Sequence, residues 1–425
     1  MPFAIHLLAL AVFAQGTSEF MLSGLGPDIA RDLGVSIPSA GHLTSAFAVG
    51  MVVGAPLMAL LSRRFSRRRA LSAFLATFLL VHVVGALTTS FAVLLATRVA
   101  GALANAGFLA VALVTATSMV EPNAKGRATS ALLGGVTVAC VAGVPAGAVL
   151  GEVWGWRSAF WAVALLSVPA LLAIARAVPG GAAGTAGAAG APDAAGPSAL
   201  GELRALRGPR LLLTLLLGAL VNGATFCTFT YLAPLVTEVA GLGSGRVPVV
   251  LALFGIGSFI GVSLGGRAAD VRPVPLLVGG SLALLAGWVL LAVTAASPVA
   301  VLALALVQGA LSFGVGSTLV SQALYAATGA PTLAGGFATA AFNVGGALGP
   351  WCGGLAISAG LGYRSPPWVS ALLVAVAVGN RGVALGPAPL PFSPLPAHET
   401  SLPLLCRLLL YKKKTISHSL MMSFG

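Results

Sequence analysis

The chain has 425 residues, 58% of them hydrophobic and 8% charged, with a mean hydropathy of +1.00. An ordinary soluble domain carries about 25% charged residues, so this balance excludes a soluble globular protein and points to a polytopic membrane protein. The net charge of +13 does not indicate nucleic acid, because the basic residues sit in short loops between apolar runs and lack interleaved aromatics.

The first apolar run, Phe3 to Leu25, contains one charged residue, Glu19. No basic segment precedes it and it is too long for a signal peptide, so it reads as a retained membrane helix over 4–24. Hydropathy and breaks predict further helices at 39–61, 70–88, 91–120, 128–151, 158–178, 211–233, 247–266, 274–295, 298–325, 334–357 and 367–386, twelve in all. This is an all-α architecture of two six-helix bundles, 1–178 and 210–386. The Ala/Gly/Pro-rich stretch 179–209 between them reads as a flexible cytoplasmic linker. Beyond about Val378 the composition changes abruptly, and 387–425 reads as a divergent or frameshifted tail.

Loops on the N-terminal side hold thirteen basic residues, five of them between Arg63 and Arg69. The opposite loops hold Arg31, Arg157, Arg246 and Arg364. This asymmetry predicts a cytoplasmic N-terminus. Internal spacing supports a duplication. Gly54 and Gly261 are 207 residues apart, as are Gly155 of GWRSAFW and Gly362 of GYRSPPW. Helices five and eleven both carry glycine at every fourth position, Gly143, Gly147 and Gly151 in one and Gly345, Gly349 and Gly353 in the other, with Pro145 and Pro350 inside the runs. Such ridges pack helices closely and suit bundles that rock on each other.

Several chemistries find no support. The lysines, Lys125 and Lys412 to Lys414, lie in no phosphate-binding loop. The GxSxG string from Gly261 to Gly265 ends a membrane helix and reads as chance in a glycine-rich chain. Cys140, Cys227, Cys352 and Cys406 are far apart and read as packing residues. The five histidines show no ligand spacing, so no metal site is expected.

What remains is a pair of charges at depth. Glu19 lies about 7 Å from the centre of its helix and Arg98 about 10 Å from the centre of the fourth, both toward the outside at 1.5 Å per residue. A buried charge costs about 2.5–3.5 kcal/mol even on insertion scales, so both should face the bundle interior or a wet cavity. Gln15 and Ser23 extend the polar stripe around Glu19, and Asn105 extends that of Arg98. A structural ion pair and a titratable acid in a substrate cavity are both open readings. Asn222, Phe226 and Tyr231 in helix seven and Asn343 in helix eleven are candidate cavity residues, with helix packing as the alternative.

Over about residues 8–378 the chain resembles the major facilitator superfamily, twelve-helix drug:proton antiporters, and especially their chloramphenicol- and arabinose-efflux-like branch. The likeness is carried by GTSEFMLSGLGPDIARDLGVS (16–36), GAPLMALLSRRFSRRR (54–69), ATRVAGALANAG (96–107), GVPAGAVLGEVWGWRSAF (143–160) and FNVGGALGPWCGGLAISAGLGYRSP (342–366). By resemblance, Glu19 is the first-helix acid of proton coupling and drug recognition and Arg98 the fourth-helix arginine of proton transfer. Gly143, Pro145, Gly147 and Gly151 form the antiporter motif, and Gly54, Arg64, Arg67 and Arg68 belong to the loop motif after helix two. That motif departs from the family where Arg63 replaces its acid and Ser66 its glycine, while the second half keeps Asp270. The resemblance implies a monomer in the bacterial inner membrane that exports a small neutral antibiotic, chloramphenicol first, by alternating access. It is not an enzyme and has no cofactor, the proton gradient being the energy source. A sugar or metabolite exporter of the same fold is the alternative, and a passive channel or membrane scaffold is more remote.

Overall fold

A computed structural model describes residues 3–62, 65–121, 124–178, 208–271, 273–327 and 334–384. Arg64, the linker segment 179–207 and the tail from 387 lie outside them, as does the side chain of Asp270. The described residues are helical throughout, and Met1–Asn380 forms one compact unit. The first span is α1 (Phe3–Phe20) continued by α2 (Leu22–Asp32), followed by α3 (Ile37–Ser62), α4 (Arg67–Leu87) and α5 (Phe91–Ser118). The fifth span joins α6 (Lys125–Val138) to α7 (Val144–Trp154), and α8 (Arg157–Ala177) is the sixth. Then come α9 (Pro209–Thr230), α10 (Val247–Val271), α11 (Pro273–Thr294), α12 (Pro298–Ala326), α13 (Ala334–Ala356) and α14 (Ser365–Ala384). Among the described residues, ten helices are long and apolar enough to cross a membrane, and the bent α1–α2 pair gives an eleventh. The apolar segment Ser365–Asn380 of α14 stands where the twelfth was expected.

Local chemistry sets the helix ends. Ser66 caps α4 by accepting from the Arg69 amide at 3.4 Å, and Pro298 opens α12 behind the Ser297 cap. The repeated Gly-aromatic-Arg-Ser string makes the same turn twice. Gly155 and Gly362 adopt φ of 80° and 71°, which glycine tolerates best. Ser158 and Ser365 donate their hydroxyls to those glycines' carbonyls at 2.7 Å, opening α8 and α14.

Two spans differ from the sequence expectation. The first is neither straight nor finished at residue 24: it bends by 53° near Met21 and runs on to Asp32. The ladder tightens at the bend, where the Gly24 amide donates to the Met21 carbonyl three residues back at 3.1 Å, and Pro27 removes a further N–H within α2. The seventh ends at Thr230, and the chain continues through a helical turn, Leu232–Pro234, into a π-turn, Leu235–Val239. A second π-turn, Ala139–Gly143, precedes Pro145 in the fifth span and absorbs the hydrogen bond that proline cannot make.

One hydrophobic core draws only on residues between Ile5 and Val178. A second draws on Leu217 to Ala377 and is joined by Phe20, Val144 and Ala148. Large apolar side chains such as Leu80, Leu87 and Leu165 face outward, as a lipid-facing surface requires. The two sets of helices touch where α3 packs on α13 and where the fifth span packs on α10. Backbone contacts dominate there: a Cβ at Gly255 would run into the Cys140 carbonyl oxygen, and Ser45 donates to the Ala347 carbonyl at 2.7 Å. These contacts run from mid-span to the end carrying Asp32, Trp154 and Ser244, hereafter the far end. The GxSxG string falls within α10, where a Cβ at Gly261 would meet the Ala310 carbonyl, so its glycines serve helix packing.

Candidate functional site

Glu19 sits half-buried near the middle of the first span and lines a cavity of about 180 Å³ between the two sets of helices. Pockets that enclose drug-sized ligands measure about 300–1,000 Å³, so the described conformation has to widen to take one. Phe20 from α1, Thr44, Phe47 and Ala48 from α3, Asn222 and Phe226 from α9, Phe313 from α12 and Phe342, Asn343 and Gly346 from α13 complete the lining. The rings form a continuous ribbon. Phe20 stacks on Phe226 at 5.6 Å, Phe226 meets Phe229 edge-on at 6.1 Å, and Phe229, Phe254 and Phe313 extend the series. Aromatic pairs of this kind fix a rigid apolar wall.

The polar groups of the wall are partly committed to backbone. Asn222 donates Nδ2 to the Phe342 carbonyl at 2.6 Å, and Asn343 donates Nδ2 to the Thr339 carbonyl at 2.9 Å. One N–H of each amide is thereby occupied by backbone, which leaves the second N–H and the carbonyl oxygen of each, together with the Glu19 carboxylate, for a ligand. A ligand suited to this cavity brings hydroxyl or amide donors and an aromatic or apolar body.

Arg98 is 2% exposed. Its guanidinium donates to Ser18 Oγ and to the Ser18 carbonyl, both at 2.9 Å, and lies 4.5 Å from the centroid of the Phe47 ring. Glu19 and Arg98 thus share a depth, but they form no direct ion pair among the described residues. The arginine instead grips the backbone one residue before the acid, on the far side of Phe47 from the cavity. Ser18 Oγ also meets His82 Nε2 at 2.6 Å, and His82 Nδ1 meets the Phe78 carbonyl at 2.7 Å. Sequence reasoning missed Ser18 and His82. They are 64 residues apart, and an isolated histidine in an apolar helix carries no spacing signal.

Three candidates do not line the cavity. Tyr231 is 1% exposed, donates its hydroxyl to the Pro350 carbonyl at 2.9 Å and fills space that a Cβ at Gly41 or Gly354 would occupy. It wedges α3 against α13 toward the far end, because nine residues after Asn222 is about two and a half turns, which puts it on the opposite face of the helix. Asn105 is buried and donates to Met51 Sδ at 3.6 Å. Gln15 is buried between helices with no hydrogen-bond partner among the described residues.

The remaining candidates lie away from the cavity. Gly143, Gly147 and Gly151 let the fifth span approach the first, since a Cβ at Gly143 would run into Thr17 Oγ1 and one at Gly151 into Leu25. Pro145 follows the π-turn. Gly54 lets α3 approach Leu103 and Ala106 of α5. Arg67 donates to Ser118 Oγ at 2.6 Å, tying α4 to α5, and Arg68 is exposed. At the far end a polar recess is lined by Gly24, Asp28, Arg31, Asp32, Glu152 and Glu238, among others. There Asp32 accepts from Arg157 and from Trp156 Nε1, and these bonds hold its carboxyl below the usual carboxylate range.

Comparison with known proteins follows the geometry. The sequence pattern described as Major Facilitator Superfamily matches residues 8–341. A chloramphenicol resistance protein of Streptomyces lividans is 56% identical, covering 89% of this chain and 95% of that protein. The inner membrane transport protein YdhP of Escherichia coli is 37% identical, over 88% and 94%. A chloramphenicol efflux pump of Mycobacterium tuberculosis is 30% identical, over 90% of each. The fold also matches a bacterial homologue of the human lysosomal transporter Spinster, with a TM-score of 0.70 at 18% identity, over 91% of this chain and 98% of that one. Helices, cavity and relatives agree: this chain is a twelve-span, all-α membrane protein that belongs to the major facilitator superfamily.

Proposed function

We propose that the chain exports chloramphenicol, or a small neutral antibiotic of the same chemistry, in exchange for protons, and so confers resistance. The observation that carries this is the cavity of Glu19, in which a carboxylate and two amide carbonyls face an aromatic wall. Chloramphenicol brings two hydroxyls, an amide N–H and an aromatic ring, which meet those acceptors and that wall. Its name on a relative of 56% identity supports the choice.

With the N-terminus cytoplasmic, as the arginine-rich loops suggest, the far end faces outward and the described conformation is closed on that side. Residues 1–178 and 210–386 act as the two rocking bundles. Glu19 binds either a proton or the donors of the drug. Proton entry from outside releases drug, and proton loss inside restores the acceptor. Arg98 places a fixed positive charge behind the acid without consuming it as an ion-pair partner. No group beyond proton and drug enters the cycle, and a monomer suffices.

The test is chloramphenicol accumulation in a sensitive bacterium expressing the chain, with and without an uncoupler. Wild type should hold accumulation low until the gradient collapses. Glu19→Gln should insert normally and lose the uncoupler-sensitive efflux. Undiminished efflux by that variant would overturn the proposal.

A further inference from the structure

We infer that His82 is a positioning residue of the coupling site, acting on Glu19 through Ser18 and Arg98. The inference rests on the reading of Glu19 as the exchanging acid and adds a group that the reading does not use. Ser18, His82 and Arg98 are each at most 2% exposed, in the interior of the helices that precede α9. Their hydrogen bonds have a forced direction. The Phe78 carbonyl only accepts, so His82 carries its proton on Nδ1 and presents a lone pair at Nε2. Arg98 only donates, so Ser18 Oγ receives Nη1 and passes its own hydroxyl proton to His82 Nε2. Donation therefore runs one way, from Arg98 to Ser18 to His82 to the Phe78 carbonyl, an arrangement in which each bond strengthens the next.

A second proton on His82 breaks that order. Nε2–H would donate to Ser18 Oγ, which already accepts from Arg98, and a second cation would stand beside the guanidinium. The groups facing His82 are few. Arg98 comes from α5, Ser18 from α1 with Glu19 as the next residue, Phe160 from α8 at 5.7 Å between centroids, and Phe78 from its own helix at 4.2 Å. Arg98 is the one fixed charge among them, and the Ser18–His82 pair keeps it on the backbone instead of on the carboxylate. Release of that hold lets the guanidinium approach Glu19 and stabilise its ionised form.

The experiment follows the carboxyl band by infrared difference spectroscopy as purified, reconstituted protein is titrated without drug, with Glu19→Gln assigning the band. His82→Leu, which cannot accept from Ser18, should move the midpoint acidward by about one pH unit, a tenfold loss of proton affinity. Ser18→Ala breaks the same chain from its other side and should do likewise, so the result does not hang on His82→Leu folding well. His82→Gln, whose amide oxygen still accepts from Ser18 but does not titrate, should keep the wild-type midpoint. A wild-type midpoint in both His82→Leu and Ser18→Ala would overturn the inference and leave a merely structural histidine. So would a His82→Gln shift as large as that of His82→Leu. Because this readout involves no drug, a shifted midpoint beside unaltered chloramphenicol accumulation would count against the proposed substrate and not against His82.

Discussion

At the scale of single residues, the cavity discriminates by what its amides have left to give. Asn222 spends one N–H on the Phe342 carbonyl, so Asn222→Leu removes an acceptor and a donor and also releases a backbone carbonyl. Drug half-saturation in transport assays should rise about tenfold, the loss expected for a hydrogen bond whose partner is left unpaired. Asn105→Leu, outside the cavity, should leave it unchanged. A chloramphenicol derivative with fluorine in place of a hydroxyl has one donor fewer, and it should escape export while still entering cells. Glu19, Arg98, Asn222 and Asn343 were legible because a charge or amide in an apolar run is conspicuous. Ser18 and His82 were not, since a small hydroxyl and a lone histidine acquire meaning only when two helices are brought together. Tyr231 misled because it shares a helix with Asn222 but not a face: nine residues are about two and a half turns.

The spans follow from apolar length and intervening arginines, although their ends, at Asp32 in the first and Thr230 in the seventh, do not. Bends could not, because they depend on which carbonyl a proline strands and how the neighbour accommodates it. Glycine ridges were visible as spacing, but their purpose required the partner's backbone. Gly255→Ala would press a methyl against the Cys140 carbonyl oxygen, which no rotamer change relieves. The variant should lose about 1–3 kcal/mol of stability, read as earlier aggregation on heating in detergent, while Gly279→Ala, with nothing nearby, serves as the unaffected control. The far-end link of α2 to α8 has a pH signature of its own. Asp32 is held below its unfolded value near pH 3.9, so its contribution is complete above that value and fades as pH falls through the folded one. Asp32→Asn should therefore lower the melting temperature slightly at neutral pH and give no difference from wild type in strong acid. The loss is small because the pair is partly exposed.

For the whole molecule, the consequence of closure at the far end is a transport cycle that must undo it. Cysteines placed at Ser45 and Ala347, in a background lacking the native cysteines, should be joined by a short thiol cross-linker and stop efflux, with reversal when the linker is cleaved. Efflux that continues with the link intact would mean that α3 and α13 do not part. The closed layer itself is thin. Phe20 lines the central cavity and Gly24 the far-end recess, a separation of one helical turn, about 6 Å along the helix. Where water fills the cavity from the cytoplasm and the recess from outside, the two bulk potentials reach the faces of that turn, and nearly the whole membrane voltage then falls across it instead of across about 30 Å of hydrocarbon. A proton passing from the recess to Glu19 then crosses almost the full electrical drop in one step, about 2.3 kcal/mol for each 100 mV. The kinked first span thereby becomes the insulator of the device, and the ring of Phe20 its thinnest point.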